Sequence, residues 1–149
     1  MIYDKKESLS SNPENDALTV NEPYKFYNGN RDFTSLEAWI KCRDVKLFFY
    51  QKILPLLPKE EKFNLDIQIR KAAISITSNI SEGYGRFHYQ EGIQYYRISR
   101  GSLFELKDHL ISCYDIGYIH SEIKNEGEKL IESAKIILNG YINFVKKKT

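Results

Sequence analysis

Cysteine is scarce in this 149-residue chain, where Cys42 and Cys113 are the only two. Two thiols make no secreted disulfide framework, and they read as core thiols of a protein in a reducing cytoplasm. Long apolar runs are missing too. None approaches the ~20 residues needed to cross a bilayer, so no membrane partner is expected. The opening MIYDKKESLSSNPENDALTV lacks the apolar core and alanine-type cleavage site of a signal peptide, which agrees with a cytoplasmic location.

Several kinds of chemistry lack their residues. The chain has no Glu-x-x-His, so a carboxylate-bridged di-iron bundle, which needs two such motifs, is excluded. Zinc needs four ligands at suitable spacing, and His88 and His120 fall near opposite ends of the fold expected below. Glu105, His109 and Cys113 follow one another at i,i+4, a conceivable metal or redox face. Cys113 nevertheless reads as core, and His109 as a boundary residue. No base and orienter present themselves for a Cys113 nucleophile. Gly83-Tyr84-Gly85 joins two helical segments and lacks the strand-to-helix context of a phosphate loop. No cofactor, metal or catalytic activity is expected.

What is present describes one soluble domain, 42% hydrophobic and 28% charged, of a size that needs no staple. Residues 1–32 are rich in Ser, Asn, Asp, Glu and Pro and show no sustained period. They are expected to form a flexible leader, with residues 24–27 (Tyr-Lys-Phe-Tyr) as a short element that docks. From residue 33 onward the period is helical. Thr34 and Glu37 fit a capping box with Phe33 as staple. Cys42, Val45, Phe49 and Ile53 form one face of a first helix. Pro55 ends it, and Pro58 suits the first position of a second. That second helix carries the stripe Ile69, Ala73, Ile76, Ile80 and Gly83, ended by left-handed or turn conformations at Gly83 and Gly85. A third begins near His88 to Gln90 with the seam Tyr96, Ser99, Leu103, Leu106, Leu110 and Cys113, and Gly117 stops it. A fourth is capped by Ser121 and repeats the spacing at Ile123, Gly127, Leu130, Ala134, Ile137, Tyr141 and Phe144. Short connections make the helices antiparallel neighbours. The fold class is all-α, an up-and-down four-helix bundle over residues 33–149 behind the leader.

In the second and third helices, antiparallel pairing about a turn near Phe87 sets Ala72, Ala73 and Ser75 opposite Ser99, Gly101 and Ser102. Gly101 then marks a tight crossing or a contact surface, since a mid-helix glycine costs about 1 kcal/mol. The same register brings Glu105 to Arg70 as an interhelical ion pair, and Asn79 and Glu82 to Tyr95 and Arg97. These polar residues read first as a brace for the helical hairpin.

The net charge is +2, but it is unevenly spread. Residues 1–32 hold four Lys/Arg and six Asp/Glu, leaving eighteen against fourteen beyond them. Between positions 70 and 100, Arg70, Lys71, Arg86, Arg97 and Arg100 interleave with Tyr84, Phe87, His88, Tyr89, Tyr95 and Tyr96, against only Glu82 and Glu91. Arginine beside aromatic rings grips phosphates and stacks on unpaired bases. Lys71, Arg86, Arg97 and Arg100 are the expected nucleic-acid contacts, with Lys146, Lys147 and Lys148 assisting. The last three also suit the negative end of the fourth helix dipole.

The strings Asn79-Ile80-Ser81-Glu82-Gly83 and Arg100-Gly101-Ser102-Leu103-Phe104-Glu105-Leu106 resemble the four-helix bundle proteins encoded in intervening sequences of bacterial 23S ribosomal RNA genes. The likeness runs over residues 34–146. Ser81 and Ser99 stand where alanine is expected, and the leader lies outside the pattern. The resemblance implies a homo-oligomer, a pentameric ring. It extends to accessory proteins of diversity-generating retroelements, which bind nucleic acid through a basic pentamer surface and partner a reverse transcriptase. In such a ring a bundle of +4 would sum to about +20.

Overall fold

The computed structural model describes residues 32–86 and 88–149. Apart from Asp32, the expected leader, the docking element at residues 24–27 and Phe87 lie outside the described residues. Four helices pack side by side: α1 (Glu37–Phe48), α2 (Leu65–Tyr84), α3 (Tyr89–Ile116) and α4 (Ser121–Lys146). No strand occurs among the described residues. Each helix touches its chain neighbour, and α1 also packs on α4, which closes the bundle.

α1 opens on a 3-10 turn, Phe33–Ser35. Asp32, not Thr34, supplies the cap: its Oδ1 accepts the Thr34 N–H at 2.9 Å. The α-helix begins only at Glu37, so Thr34 stands too early for the expected capping box. Cys42, Val45, Phe49 and Ile53 are fully buried, as their spacing requires. A π-helical turn at Phe49–Ile53 carries the stripe to its end, and a 3-10 turn at Leu54–Leu56 contains Pro55.

Pro58 does not start α2. It precedes a 3-10 turn, Lys59–Glu61, and α2 begins at Leu65. The reason is Glu61, whose Oε2 accepts the Leu65 N–H at 3.2 Å and the Asn64 amide at 3.1 Å. Its other oxygen accepts the Tyr118 hydroxyl at 2.9 Å, so Glu61 latches the α1–α2 and α3–α4 connections together. The Tyr118 hydroxyl, and after it the Leu65 N–H, hold the Glu61 carboxyl below its ordinary range. A lowered folded-state pKa contributes stability above the ordinary carboxylate value and loses it as pH falls through the lowered one. Thermal melts of wild type and Glu61→Gln should therefore differ at ~pH 7 and converge by ~pH 3.

The α2 stripe of Ile69, Ala73, Ile76, Ile80 and Gly83 is buried throughout, as is the α3 seam from Tyr96 to Cys113. Gly83 and Gly85 do not turn left-handed, however. Gly83 lies inside α2, and Gly85 caps it in the right-handed region. A Cβ on Gly83 would stand 2.7 Å from the Tyr96 ring and 2.9 Å from the Gly92 carbonyl. Gly83 and Gly92 are thus the tight crossing of α2 and α3. Gly101 is not, because a Cβ there would meet nothing within 4 Å. Gly117, at φ 94°, ends α3 in the left-handed conformation that glycine adopts without strain.

α4 starts at Ser121, with His120 rather than Ser121 at the cap position. Gly127, Ala134 and Tyr141 are buried, but Ile131, Leu138, Ile142 and Val145 join them. Ile123, Leu130, Ile137 and Phe144 are only half-buried against the core. Apolar residues stand in adjacent pairs along this helix, and packing against α1 and α3 selects the second of Leu130 and Ile131, of Ile137 and Leu138, and of Phe144 and Val145.

Candidate nucleic-acid interface

Hydroxyl contacts fix the register of α2 against α3. Ser75 Oγ lies 2.7 Å from Ser102 Oγ, and Ser99 Oγ donates to the Ile76 carbonyl at 2.6 Å. Asn79 donates to the Ser75 carbonyl at 3.0 Å and its Oγ at 2.9 Å. The small and polar residues of the quoted strings therefore brace the hairpin. The expected Arg70 to Glu105 pair does not form. Arg70 pairs with Asp66 at 2.6 Å one turn back and lies over Tyr50, while Glu105 lies 3.3 Å from His109. Asn79 turns to Ser75 instead of Tyr95, and Glu82 reaches Tyr95 only through Arg86.

The thiols are spent on packing. Burial pushes Cys42 up to about 12 and Cys113 up to about 11, and both are fully buried. The native chain should show no fast-reacting thiol toward a disulfide reagent at ~pH 8 and two after denaturation. Glu105 and Asp108 flank His109. Among the described residues no group of three His, Cys, Asp or Glu side chains is placed to hold a metal. No helix of the described residues is long and apolar enough to cross a membrane.

The cations fall into three places. Arg86 extends past the end of α2. Its guanidinium bonds Glu82 at 3.1 Å, donates to the Tyr95 hydroxyl and covers that ring. The Glu82 contact, chiefly, raises its pKa. Lys71 is exposed on α2, level with residues 104–106 of α3, roughly 20–25 Å along the axis from the end where Arg86 lies. It stands on α2, outside the pairing of α3 with α4.

The third group gathers where α3 meets α4. Arg100 Nη1 donates to Asn139 Oδ1 at 3.0 Å. Tyr96 stacks near Tyr141 with ring centroids 5.0 Å apart, and Lys135 lies over Phe104 at 4.5 Å. These contacts set residues 92–104 of α3 alongside residues 134–146 of α4. Both stretches lack acidic residues: there is no Asp or Glu from 92 to 104, nor from 133 to 149. Six cations occupy them, Arg97, Arg100, Lys135, Lys146, Lys147 and Lys148. Arg97 is exposed and pairs with no acidic side chain among the described residues. Lys146, Lys147 and Lys148 are exposed, level with the first turn of α3, with Lys148 over Phe144. Lys135, Phe104 and Asn139 were not among the residues expected here. Only the α3–α4 register reveals them, since their partners lie more than thirty positions away. Farther down the same groove Glu128 and Glu132 pair with Lys124 and Lys135, so the acid-free stretch is confined to one end.

A strip of this kind attracts polyanions by field and offers Arg97 and the lysine ammonium groups as phosphate donors, with the asparagine amides Asn139 and Asn143 beside them. Comparison with curated proteins finds no match for the chain. The helical hairpin with its serine and glycine contacts, and Arg97, Arg100 and Lys135 of the cationic strip, lie within residues 34–140, which match the family model of the 23S rRNA-intervening sequence protein, and the chain belongs to that family.

Proposed function

We propose that this chain is a non-enzymatic, homo-oligomeric bundle that binds RNA or DNA through phosphate contacts, as an accessory of an rRNA-associated element or a reverse transcriptase. The observation that carries the reading is the juxtaposition of two acid-free helix segments holding six cations. Arg97, Arg100 and Lys146 are its principal contacts, with Lys147, Lys148 and Arg86 at the same end. Burial of both thiols supports the absence of nucleophilic chemistry. Filter binding of single-stranded RNA and duplex DNA tests the reading. Retention at ~50 mM salt that falls steeply as salt rises is expected, because displaced counterions oppose binding. No retention of either nucleic acid at ~50 mM would remove it.

One feature favours a second reading, a protein-interaction scaffold. Around the open Gly101, Ile98 and Phe104 are 52% and 50% exposed, and Ile74 of α2 is 49% exposed. A mid-helix glycine with no neighbour inside its own bundle suits the approach of another surface. Sedimentation of Gly101→Leu tests this: loss of oligomer with helix content intact supports the scaffold, and an unchanged mass opposes it.

A further inference from the structure

One face of α1 and the turn that continues it carries a ring, two cations and a second ring. Trp39, Arg43, Lys46 and Tyr50 follow one another at helical spacing, i, i+4, i+7 and i+11. Two contacts turn this face toward α2. Lys46 Nζ donates to Thr77 Oγ1 at 3.1 Å, and Arg70 of α2 lies over the Tyr50 ring at 5.4 Å. At the start of the row, Phe33 meets Trp39 edge to face with centroids 5.5 Å apart. The row from Trp39 to Tyr50 is about 16 Å long.

The two cations in its middle are unpaired: neither Arg43 nor Lys46 meets an acidic side chain among the described residues. Lys46 is half-buried, and Arg43 stands one turn before it. Burial first, and the charge of Arg43 second, lower the Lys46 pKa. Two like charges side by side, one of them partly withdrawn from water, form an arrangement that an anion relieves. Donors for that anion are in place. Thr77 takes one of the three N–H groups of the ammonium. The Arg43 guanidinium makes no hydrogen bond among the described residues and lies 6.0 Å from the Trp39 centroid, the outer limit of a cation–π contact.

Among the described residues no acidic group competes for these donors on this face. Residues 67–81 of α2 contain no Asp or Glu, and Asp66 and Glu82 on either side are held by Arg70 and Arg86. On α1, Asp44 lines the cleft toward α4 with Lys52 and Glu126. Glu37 stands seven positions before Asp44, on the same side of the helix.

We infer that the α1–α2 face binds a nucleotide unit, its phosphate held by Arg43 and Lys46 and its base laid against Trp39. Tyr50 does not take the base, because Arg70, itself held by Asp66, already covers that ring. The site stands on other helices than the cationic strip of α3 and α4 and does not rest on the function proposed for that strip. A free mononucleotide and one unit of a single strand present the same phosphate and ring, and the site recognises that shared chemistry.

Trp39 is the only tryptophan of the chain, so its emission reports on this face. The test titrates AMP into the full chain carrying Arg97→Ala, Arg100→Ala and Lys146→Ala, which removes the strip as a competing site. Trp39 is excited beyond the absorption of adenine. Saturable quenching with a Kd of roughly 1 mM at ~50 mM salt is expected. Adenosine, which lacks the phosphate, should bind at least about tenfold more weakly. AMP should lose about tenfold in affinity for Arg43→Gln or Lys46→Gln in the same background. Lys52→Gln, on the α4 side of α1, should leave the titration unchanged. A trinucleotide that binds about tenfold more tightly than AMP assigns the site to a strand, and equal affinity assigns it to a free nucleotide. The site is overturned by the absence of saturable quenching with either ligand, by equal binding of adenosine and AMP, or by undiminished binding to both glutamine variants.

Discussion

Gly83→Val should lower the stability of the bundle by about 3 kcal/mol, or ~10 °C in melting temperature, while Gly101→Ala should raise it by about 1 kcal/mol. Gly83 lies in the last turn of α2 and Gly101 in the interior of α3. A side chain at Gly83 meets the Tyr96 ring at 2.7 Å, the Gly92 carbonyl at 2.9 Å and the Tyr95 Cβ at 3.0 Å. The carbonyl belongs to the facing backbone and cannot rotate aside, so α2 and α3 must separate and the Ser75 to Ser102 and Ser99 to Ile76 contacts stretch. At Gly101 a methyl meets nothing within 4 Å, so it brings only the higher helix propensity of alanine. Thermal melts at low protein concentration read both effects. A loss at Gly101 matching that at Gly83 would mean that the register of the hairpin differs from the one described.

The triple substitution Arg97→Ala, Arg100→Ala, Lys146→Ala should flatten the dependence of nucleic-acid affinity on salt by about two to three units of logarithmic slope, and lower affinity about a hundredfold at ~50 mM salt. Each of these groups occupies the strip where residues 92–104 face residues 134–146. Lys71→Ala is the control, since Lys71 stands on α2, outside the α3–α4 strip, and should leave the slope unchanged. Arg100 also holds Asn139 across α3 and α4, so some stability, about 1 kcal/mol, should be lost with it. Circular dichroism separates that loss from the loss of binding.

How much of this was legible in the sequence depends on the range of the interaction concerned. The stripes of α1, α2 and α3 follow from spacing alone, because each helix offers a single continuous apolar face to bury. On α4 the pairs Leu130 and Ile131, Ile137 and Leu138, and Phe144 and Val145 offer two faces. Periodicity cannot choose between them, and the neighbours do. The start of α2 was displaced from Pro58 to Leu65 by Glu61, whose hydroxyl partner Tyr118 lies fifty-seven residues away. Glycines carry no local sign of their use: Gly83 and Gly92 let two backbones meet, whereas Gly101 has open space. Within the interface, the basic residues of α2 and α3 were apparent from composition. The strip itself was not, because it consists of two acid-free segments that only the α3–α4 register sets side by side. Lys71 was grouped with the others for its charge and its place in the chain, but it stands on α2, outside the α3–α4 strip and roughly 20–25 Å along the axis from Arg86.

The most direct measurement is a titration of the isotopically labelled chain with a short single-stranded RNA, following backbone amide shifts residue by residue. The largest shifts are expected along residues 92–104 and 134–148, with Arg97, Arg100, Asn139 and Lys146 prominent. They should vanish as salt is raised. Shifts confined to the opposite end, around Leu56, Phe63 and Ile116, or none at all at low salt, would contradict the assignment of the cationic strip as the surface that meets nucleic acid.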